Sequence, residues 1–258
     1  MKSNAEKIQR FALPVAFGVL LLLLWQFGAF HALFRLKIYQ LPLPSDIAVT
    51  LYKDFGKAMK DCGITISGAL IGLTLGSLIG FGVAVVATFF PKWGYGGMTV
   101  VSALNAIPLV ALSVIMNRWF TTGMAQKIGA VTIVCMAAMA LNAYNGLNTL
   151  KPFSIDLMYM AAADKWTIFR KLRLPNCLPY VFTACKINIA ASIIASIISE
   201  YFAASTSGLG FGIKDNLRKA EMSMGWSYIV VASLAGVLLY SIIVIVERNA
   251  IKWHDSQR

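Results

Sequence analysis

The amino-acid sequence predicts an all-α polytopic membrane protein with about six transmembrane helices. Of its 258 residues, 58% are hydrophobic and only 13% are charged, and the mean hydropathy is +0.70. A soluble domain usually carries about 25% charged residues, and a chain this apolar would expose large hydrophobic patches to water. The charges also leave long gaps: none lies between Arg10 and Arg35, and none between Asp61 and Lys92. Each gap exceeds the roughly 20 residues that a spanning helix needs.

Six apolar segments are predicted to cross the bilayer as a single transmembrane domain over residues 1–258. The first segment follows three basic residues, as a signal peptide would. Its apolar run is longer than the roughly 7–15 residues of a signal core, so we interpret it as a retained helix. The predicted spans are residues 12–34, 64–90, 97–117, 127–147, 178–202 and 227–246.

Six spans place both termini on the same side of the membrane. If that side is cytoplasmic, the inner segments carry twelve Lys and Arg residues and the outer segments carry ten. The positive-inside rule favours this orientation slightly, so we predict a multi-pass protein of the cell (inner or plasma) membrane with both termini in the cytoplasm. The net charge of +12 is spread over the loops, which indicates contact with the lipid bilayer and no nucleic-acid partner.

The outer-side segment 35–63 is predicted to contain an amphipathic helix that lies on the membrane surface. Two prolines lead into Ser45 and Asp46, which favour helix N-caps. Apolar residues then recur every four positions while basic residues face elsewhere, a pattern typical of interfacial helices. The apolar positions are Ile47, Leu51, Phe55 and Met59.

Four glycines in the second predicted span are spaced four residues apart, which places them on one face of a helix. Glycine on a helix face lets a neighbouring helix approach to near backbone contact. We therefore predict a helix-packing surface made of Gly68, Gly72, Gly76 and Gly80.

Motifs for nucleotide, metal or covalent chemistry are missing from the sequence. No G-x-x-x-x-G-K-[ST] run occurs, and the glycines of 208–212 lack dinucleotide-binding spacing, so we interpret them as a tight turn or re-entrant edge at the outer side. The four cysteines form no C-x-x-C pair and suit buried apolar positions. We predict no catalytic residue, no metal site and no cofactor, and the chain is not expected to be an enzyme.

Two charged side chains, Lys186 and Glu200, fall inside predicted spans. An ionisable group at such depth favours a gate, a substrate contact or a tether between helices. Alternatively, Lys186 could snorkel to the inner interface and Glu200 could meet water at the outer one. With two residues of the third span, the candidates for a gate or pathway are Glu200, Lys186, Asn105 and Pro108.

The longest inner segment, residues 148–177, is unusual for a solvated loop. Helix-forming residues fill it until Pro175 and Pro179, which predicts a short helical pair ended by the two prolines. Its apolar bulk lies beside three consecutive alanines, a surface that would suit docking into a groove on a soluble partner. A plain connector is the alternative.

From Asp156 to Pro175 the sequence resembles the cytoplasmic loop of the inner-membrane permeases of bacterial ABC importers. Their loop pattern is Glu-Ala-Ala, three residues, Gly, nine residues, Ile-x-Leu-Pro. This chain keeps the spacing with Asp156-Leu157-Met158, Ala162 and Leu172-Arg173-Leu174-Pro175. Ala162 in place of glycine is a mild change in a helix but a larger one wherever φ must be positive.

The resemblance covers nearly the whole chain and extends to the nitrate, sulfonate, taurine and thiamine-precursor branch of these permeases. It implies the type I ABC importer permease fold and a translocation path for a small organic or anionic solute. The implied partners are two copies of a cytoplasmic ATP-binding subunit, a second permease copy in a homodimer and an extracytoplasmic substrate-binding protein. Segment 148–177 would be the cytoplasmic coupling loop, with ATPase coupling implied for Asp156, Leu157, Met158, Ala161, Ala162, Ala163, Trp166, Leu174 and Pro175.

Two other functions remain open at this stage. A secondary transporter driven by an ion gradient would usually contain internal repeats, broken helices and more charges within the membrane. A membrane scaffold without transport activity would need none of these. Dependence of uptake on a partner ATPase would separate the three functions.

Overall fold

The computed structural model describes residues 4–202 and 205–251, with side chains from residue 12 onward except that of Tyr95. Within that part of the chain the structure is helical and contains no strand, which confirms the predicted all-α class. A π-helical turn, Phe169–Arg173, joins α9 to α10. The α-helices are α1 (Asn4–Gln26), α2 (Ala29–Phe34), α3 (Pro44–Lys53), α4 (Phe55–Phe89), α5 (Pro91–Leu104), α6 (Leu109–Trp119), α7 (Gly123–Asn148), α8 (Ser154–Met160), α9 (Lys165–Ile168), α10 (Leu174–Phe202), α11 (Leu209–Arg218) and α12 (Met222–Ala250).

Four helical segments of the described chain are long and apolar enough to cross a membrane: α4, α7, the continuous run Lys165–Phe202 and α12. The pair α5 and α6 makes a fifth if it is counted as one broken span, and Ala12–Gln26 of α1 is a shorter apolar helix. These segments are consistent with the prediction of about six spans.

Two predicted spans are interrupted in the structure. The span predicted at 12–34 ends at Gln26, because Gly28 adopts the left-handed conformation (φ +78°) before α2 begins. The span predicted at 97–117 bends by 95° between α5 and α6. Pro108 lies in this break, where it lacks a backbone N–H and disfavours helical geometry at Ile107. Treating each segment as one uninterrupted helix was therefore wrong.

The helices belong to two compact units. The first lies within Met1–Met59 and Gly212–Val231. There, Gln26 and Ser45 exchange two hydrogen bonds of 3.0 and 3.1 Å, which fix the start of α3 to the end of α1. The Ser227 hydroxyl donates to the carbonyl of Ile47, whose side chain is buried. These contacts anchor α3 within the unit.

The apolar stripe predicted along α3 does not continue as one face. Ile47 is buried and Leu51 is half-buried, whereas Phe55 and Met59 are exposed. The stripe is broken because α3 ends at Lys53 and a new helix begins at Phe55. Its placement on a membrane surface stays a prediction.

The second unit lies within Lys60–Phe211 and Ala232–Arg258, and in it α4, α7 and α10 pack against one another. Residue pairing shows that α4 runs parallel to α7 and that α10 runs antiparallel to both. Asn188 of α10 donates to the carbonyl of Cys135 of α7 at 2.9 Å, and the Cys177 thiol donates to the carbonyl of Ala143. Buried cysteines and small residues keep these two helices close together.

Candidate functional site

Glu200, near the end of α10, lies at the centre of a buried polar cluster. Its carboxylate accepts hydrogen bonds from the Lys127 ammonium of α7 at 2.5 Å, from the Thr65 hydroxyl of α4 at 2.9 and 3.0 Å, and from the N–H of Gly210 at 2.9 Å. The exposed fraction of the side chain is 1% for Glu200 and 3% for Lys127. Charges this far from water persist only when they are paired and hydrogen-bonded. Both conditions are met here.

The turn that follows α10 closes over this cluster. Gly208 takes φ +101° and donates its N–H to the Asp61 carboxylate at 3.0 Å, and the N–H of Leu209 donates to the Thr65 hydroxyl at 2.8 Å. A Cβ at Gly208 or Gly210 would collide with the Glu200 side chain. We call the group formed by Asp61, Thr65, Lys127, Glu200 and the backbone of 208–210 the polar junction.

The sequence singled out Glu200 but missed Lys127, because a lysine at the start of a span is typical of a solvated helix end. Gly68 was the one residue in the sequence that could have pointed to Lys127. A Cβ added to Gly68 would lie 2.6 Å from Cδ of Lys127, so this glycine leaves room for the lysine stem to run between α4 and α7. The glycine face of α4 therefore also makes the space through which the Lys127 side chain reaches Glu200.

All four glycines of the predicted packing surface lie against α7. A Cβ at Gly72 would be 2.6 Å from Cβ of Val131, and one at Gly76 would be 2.5 Å from the carbonyl oxygen of Thr132. A Cβ at Gly80 would collide with the carbonyl of Met136. Approach this close leaves no space for a larger residue at these positions.

Lys186, the second charged candidate, makes an ion pair instead of snorkelling alone. Its ammonium lies 2.9 and 3.0 Å from the two carboxylate oxygens of Glu247 of α12. Both side chains are partly buried, with exposed fractions of 23% and 14%. The pair therefore tethers α10 to α12, away from the polar junction.

Asn105 and Pro108 lie at the break between α5 and α6, and both are exposed. The structure does not bring them into contact with Lys186 or Glu200 through any recorded hydrogen bond of the described residues. The four pathway candidates thus occupy three separate places.

The short helix α8 carries the apolar part of the predicted coupling loop. Leu157 and Met160 are 69% and 86% exposed, and Asp156 lies exposed in the first turn. Ala162 takes φ +54°, while Ala162 N–H donates to Tyr159 and Ala163 N–H donates to the carbonyl of Met158. This is the Schellman arrangement, in which the left-handed position strongly favours glycine. Ala161 precedes it with a negative φ of −82°.

Asp164 begins α9 as its N-cap. Its carboxylate accepts from the Thr167 hydroxyl and from the backbone N–H groups of Thr167 and Trp166. The Thr167 hydroxyl, followed by these N–H groups, holds the pKa of the Asp164 carboxyl below its ordinary value. The cap fixes where the chain turns from α8 into α9.

Trp166 stacks on an aromatic cluster that joins the loop to the spans. Its ring centroid lies 6.5 Å from that of Phe89, the last residue of α4, and 5.6 Å from that of Phe169. Phe89 and Phe169 are 5.0 Å apart. Offset aromatic pairs at these distances stabilise by about 0.5–1.5 kcal/mol each.

The prolines do not end the helix, contrary to the prediction that Pro175 and Pro179 would terminate it. The helical run continues from Lys165 to Phe202. Pro175 is the second residue of α10, directly after the π turn, and Pro179 lies inside α10. The preceding π turn provides the change of register, and Arg173 of that turn donates to the carbonyl of Leu147 at 3.0 Å. Leu174 and Pro175 are half-buried, unlike the exposed residues of α8.

The sequence of the chain matches the family model of the binding-protein-dependent transport system inner membrane component over residues 72–255. It is 23% identical over 247 residues to the formylaminopyrimidine transport permease protein ThiX of Halalkalibacterium halodurans, covering 95% of this chain and 96% of that protein. It is 24% identical over 262 residues to the riboflavin transport system permease protein RibX of Chloroflexus aurantiacus, covering 98% and 96%.

The fold is similar to that of a chain in the inward-facing MetNI methionine ABC transporter. The TM-score is 0.68 at 18% sequence identity, with 76% of this chain and 97% of that chain covered. The predicted type I importer permease fold and the resemblance to ABC importer permeases are confirmed. Because the family model covers more than half of the sequence, the chain belongs to the inner membrane components of binding-protein-dependent transport systems.

Proposed function

We propose that this chain is one of two identical permease subunits of an ATP-driven importer, and that α8 is the surface on which a cytoplasmic ATP-binding subunit docks. The observation that carries the proposal is the exposed apolar surface of α8. Leu157, Tyr159 and Met160 expose 69%, 56% and 86% of their surface on a helix of seven residues. Exposed apolar groups in such density mark a surface that a partner covers.

The loop is built to transmit movement to the spans. Ala161 to Ala163 form the turn after α8, and Asp164 caps the next helix. Trp166 stacks against Phe89 at the end of α4 and against Phe169, which leads directly into α10. A displacement of α8 would therefore reach two central helices through aromatic contacts, as a rigid-body switch between inward-open and outward-open states requires.

The docking surface defines the orientation that we propose. Segment 148–177 and both termini face the cytoplasm, and segment 35–63 lies on the outer side. The polar junction belongs to the opposite end of α7 and α10 from the aromatic cluster, so it faces the external substrate-binding protein that delivers the solute. Hydrolysis of ATP takes place in the partner subunit.

The proposed solute is a small organic compound or anion. Relatives of this chain carry names that refer to formylaminopyrimidine, riboflavin, aliphatic sulfonates and nitrate. Glu200, Lys186, Asn105 and Pro108 are the proposed gate and pathway residues. The solute itself is selected largely by the binding protein, in line with the few polar groups that the spans contain.

Co-purification with the ATP-binding subunit tests the docking surface. Met160→Glu places a charge on the most exposed apolar residue of α8, and we expect loss of the ATPase from the complex and loss of ATP-dependent uptake in proteoliposomes. Tyr52→Glu is the matched control, because Tyr52 is 85% exposed but lies on α3. Equal recovery of the ATPase with both variants would contradict the proposal and favour an ion-driven transporter or a scaffold.

A further inference from the structure

An apolar groove lies in the second unit between α4 and α10, and its volume is about 380 Å³. Residues of α10 that share one helical face form one side of the groove. On the other side Thr74 and Leu78 of α4 are exposed, so the groove is open to the surroundings of the helices. The residues from α10 are Leu174, Cys177, Leu178, Val181 and Cys185.

The dimensions of the groove match one acyl chain of a phospholipid. Its side on α10 extends from Leu174 to Cys185, which is about 16 Å at 1.5 Å per residue. One half of a hydrocarbon core of roughly 30 Å is about as long. An apolar cavity of about 150 Å³ takes up one benzene molecule with its six carbons, so a groove of about 380 Å³ has room for about fifteen carbons.

Two cations lie at the end of the groove that Leu174 marks. Arg170 and Lys171 precede Leu174 by four and three residues in the continuous helical run, so they lie on the same side of that run, about one turn further on. Both are exposed, and neither side chain has a hydrogen bond or an ion pair within residues 4–202 and 205–251. Asp164, the carboxylate closest in sequence, is engaged as the cap of α9 by Thr167 and Trp166. This end of the groove therefore carries unpaired positive charge.

We propose that the groove binds one acyl chain of an anionic phospholipid whose phosphate group contacts Arg170 and Lys171. A hydrocarbon chain suits a wall made largely of Leu, Val, Phe and Met side chains, and each cation near an anionic lipid strengthens binding by about fivefold. The site differs from general contact with the bilayer because it selects the headgroup. It does not rest on the proposed transport function, since lipid binding is measured on the permease chain without its ATPase.

One polar atom of the groove wall, the Ser77 hydroxyl oxygen, distinguishes an acyl chain from a polar ligand. It is buried and has no hydrogen-bond partner in the part of the chain that the structure describes. The neighbouring Thr74 hydroxyl donates to the carbonyl of Leu70 at 2.8 Å, and a helical serine can turn to the same kind of acceptor. Ser77→Ala should leave lipid affinity unchanged, because an acyl chain offers no acceptor. A loss of affinity would show that a polar ligand occupies the groove and would overturn the proposal.

Thermal unfolding of the full chain in dodecyl maltoside tests the site, because a ligand of the folded state raises the melting temperature as its concentration rises. Dioleoylphosphatidylglycerol and dioleoylphosphatidylcholine are the probes, since they share acyl chains and differ in charge. We expect saturable binding of both, about 25-fold tighter for phosphatidylglycerol, which is fivefold for each cation. Glycerol 3-phosphate has the charged group without the chains and should produce no shift. Equal affinity for the two lipids, or a shift with glycerol 3-phosphate, would contradict the proposal.

Removing the two cations tests the headgroup contact. The double variant Arg170→Gln with Lys171→Gln should lower the affinity for phosphatidylglycerol to that for phosphatidylcholine. Lys53→Gln with Arg118→Gln is the matched control, because it removes two exposed cations that lie on α3 and α6. If both double variants bound phosphatidylglycerol as the unaltered chain does, the headgroup would not lie at Arg170 and Lys171.

Blocking the groove tests the contact with the acyl chain. Leu78→Trp places a large side chain at the rim and should abolish saturable binding of both lipids. Its control is Leu238→Trp, because Leu78 and Leu238 are 66% and 65% exposed and Leu238 does not line the groove. A second copy of the chain is the alternative occupant. If Leu78→Trp converted a dimer to a monomer in light scattering and left lipid affinity unchanged, the groove would be an interface between copies and the lipid proposal would be wrong.

Discussion

Replacing Ala162 with glycine should stabilise the turn after α8. Ala162 takes φ +54° at the position of a Schellman turn that favours glycine. A left-handed conformation costs an L-residue about 1–2 kcal/mol, whereas the added freedom of glycine in the unfolded chain costs about 0.4–1 kcal/mol. The difference leaves a net gain of about 0.5–1 kcal/mol, which is a factor of about two to five in the opening equilibrium.

Hydrogen exchange at the amides of Ala162 and Ala163 measures this gain directly. Both amides donate within the turn, to Tyr159 and Met158 at 2.9 Å, so they exchange only when the turn opens. We expect exchange in the Ala162→Gly variant to be about two- to fivefold slower. Ala161→Gly is the control, because Ala161 has φ −82° and gains nothing from glycine. Faster or equal exchange in Ala162→Gly would refute the assignment of strain to this residue.

Three further predictions concern the packing face, the polar junction and the cap of α9. Gly76→Leu should lower the yield of folded protein in detergent, because its Cβ would lie 2.5 Å from a main-chain oxygen of α7. The control Gly82→Leu should be recovered normally, and equal yields of the two variants would contradict close packing of α4 against α7. Glu200→Gln leaves the buried Lys127 charge without its counter-ion and should destabilise the fold by about 3–5 kcal/mol, with solute uptake lost and ATPase binding retained; unchanged thermal unfolding and uptake would refute this. The pKa of Asp164 is lowered in the folded chain, so the stability that its carboxylate contributes is present above the unfolded pKa of about 3.9 and is lost as the pH falls through the lower folded value. The difference in melting temperature between the unaltered chain and Asp164→Ala should therefore be constant from pH 5 to 8 and shrink below about pH 4. A constant difference throughout would argue against the carboxylate as the cap.

The sequence was sufficient for the parts of the fold that depend on local composition. Charge-free stretches predicted the spans because a bilayer excludes charged groups regardless of how the helices are arranged. The four-residue spacing of glycines in α4 predicted a close helix contact, since that spacing fixes a face whatever lies opposite. Neither argument needs knowledge of the partner helix.

Breaks and pairings depend on tertiary geometry and were not predictable in the same way. The residues around Pro108 are as apolar as a continuous span, so hydropathy could not separate one helix from the bent pair α5 and α6. Pro175 and Pro179 were expected to end a helix, but both lie within the continuous helical run Lys165–Phe202. Lys127 and Glu200 are 73 residues apart, and only the packing of α7 against α10 brings them together.

The π turn at Phe169–Arg173 affects how the two ends of the helical run Lys165–Phe202 are oriented relative to each other. A π turn amounts to one extra residue within an otherwise regular helix, and each residue of an α-helix turns the chain by about 100°. The insertion therefore sets the angle at which Glu200 points relative to Trp166, although both lie in one continuous helical run of 38 residues, about 57 Å long. If the π turn became regular α-helix and its extra residue moved along the chain, the end of the helix that carries Glu200 would rotate about the helix axis without bending. Such a helix can convert a displacement of the aromatic cluster along the helix axis into a rotation of the helix at the polar junction.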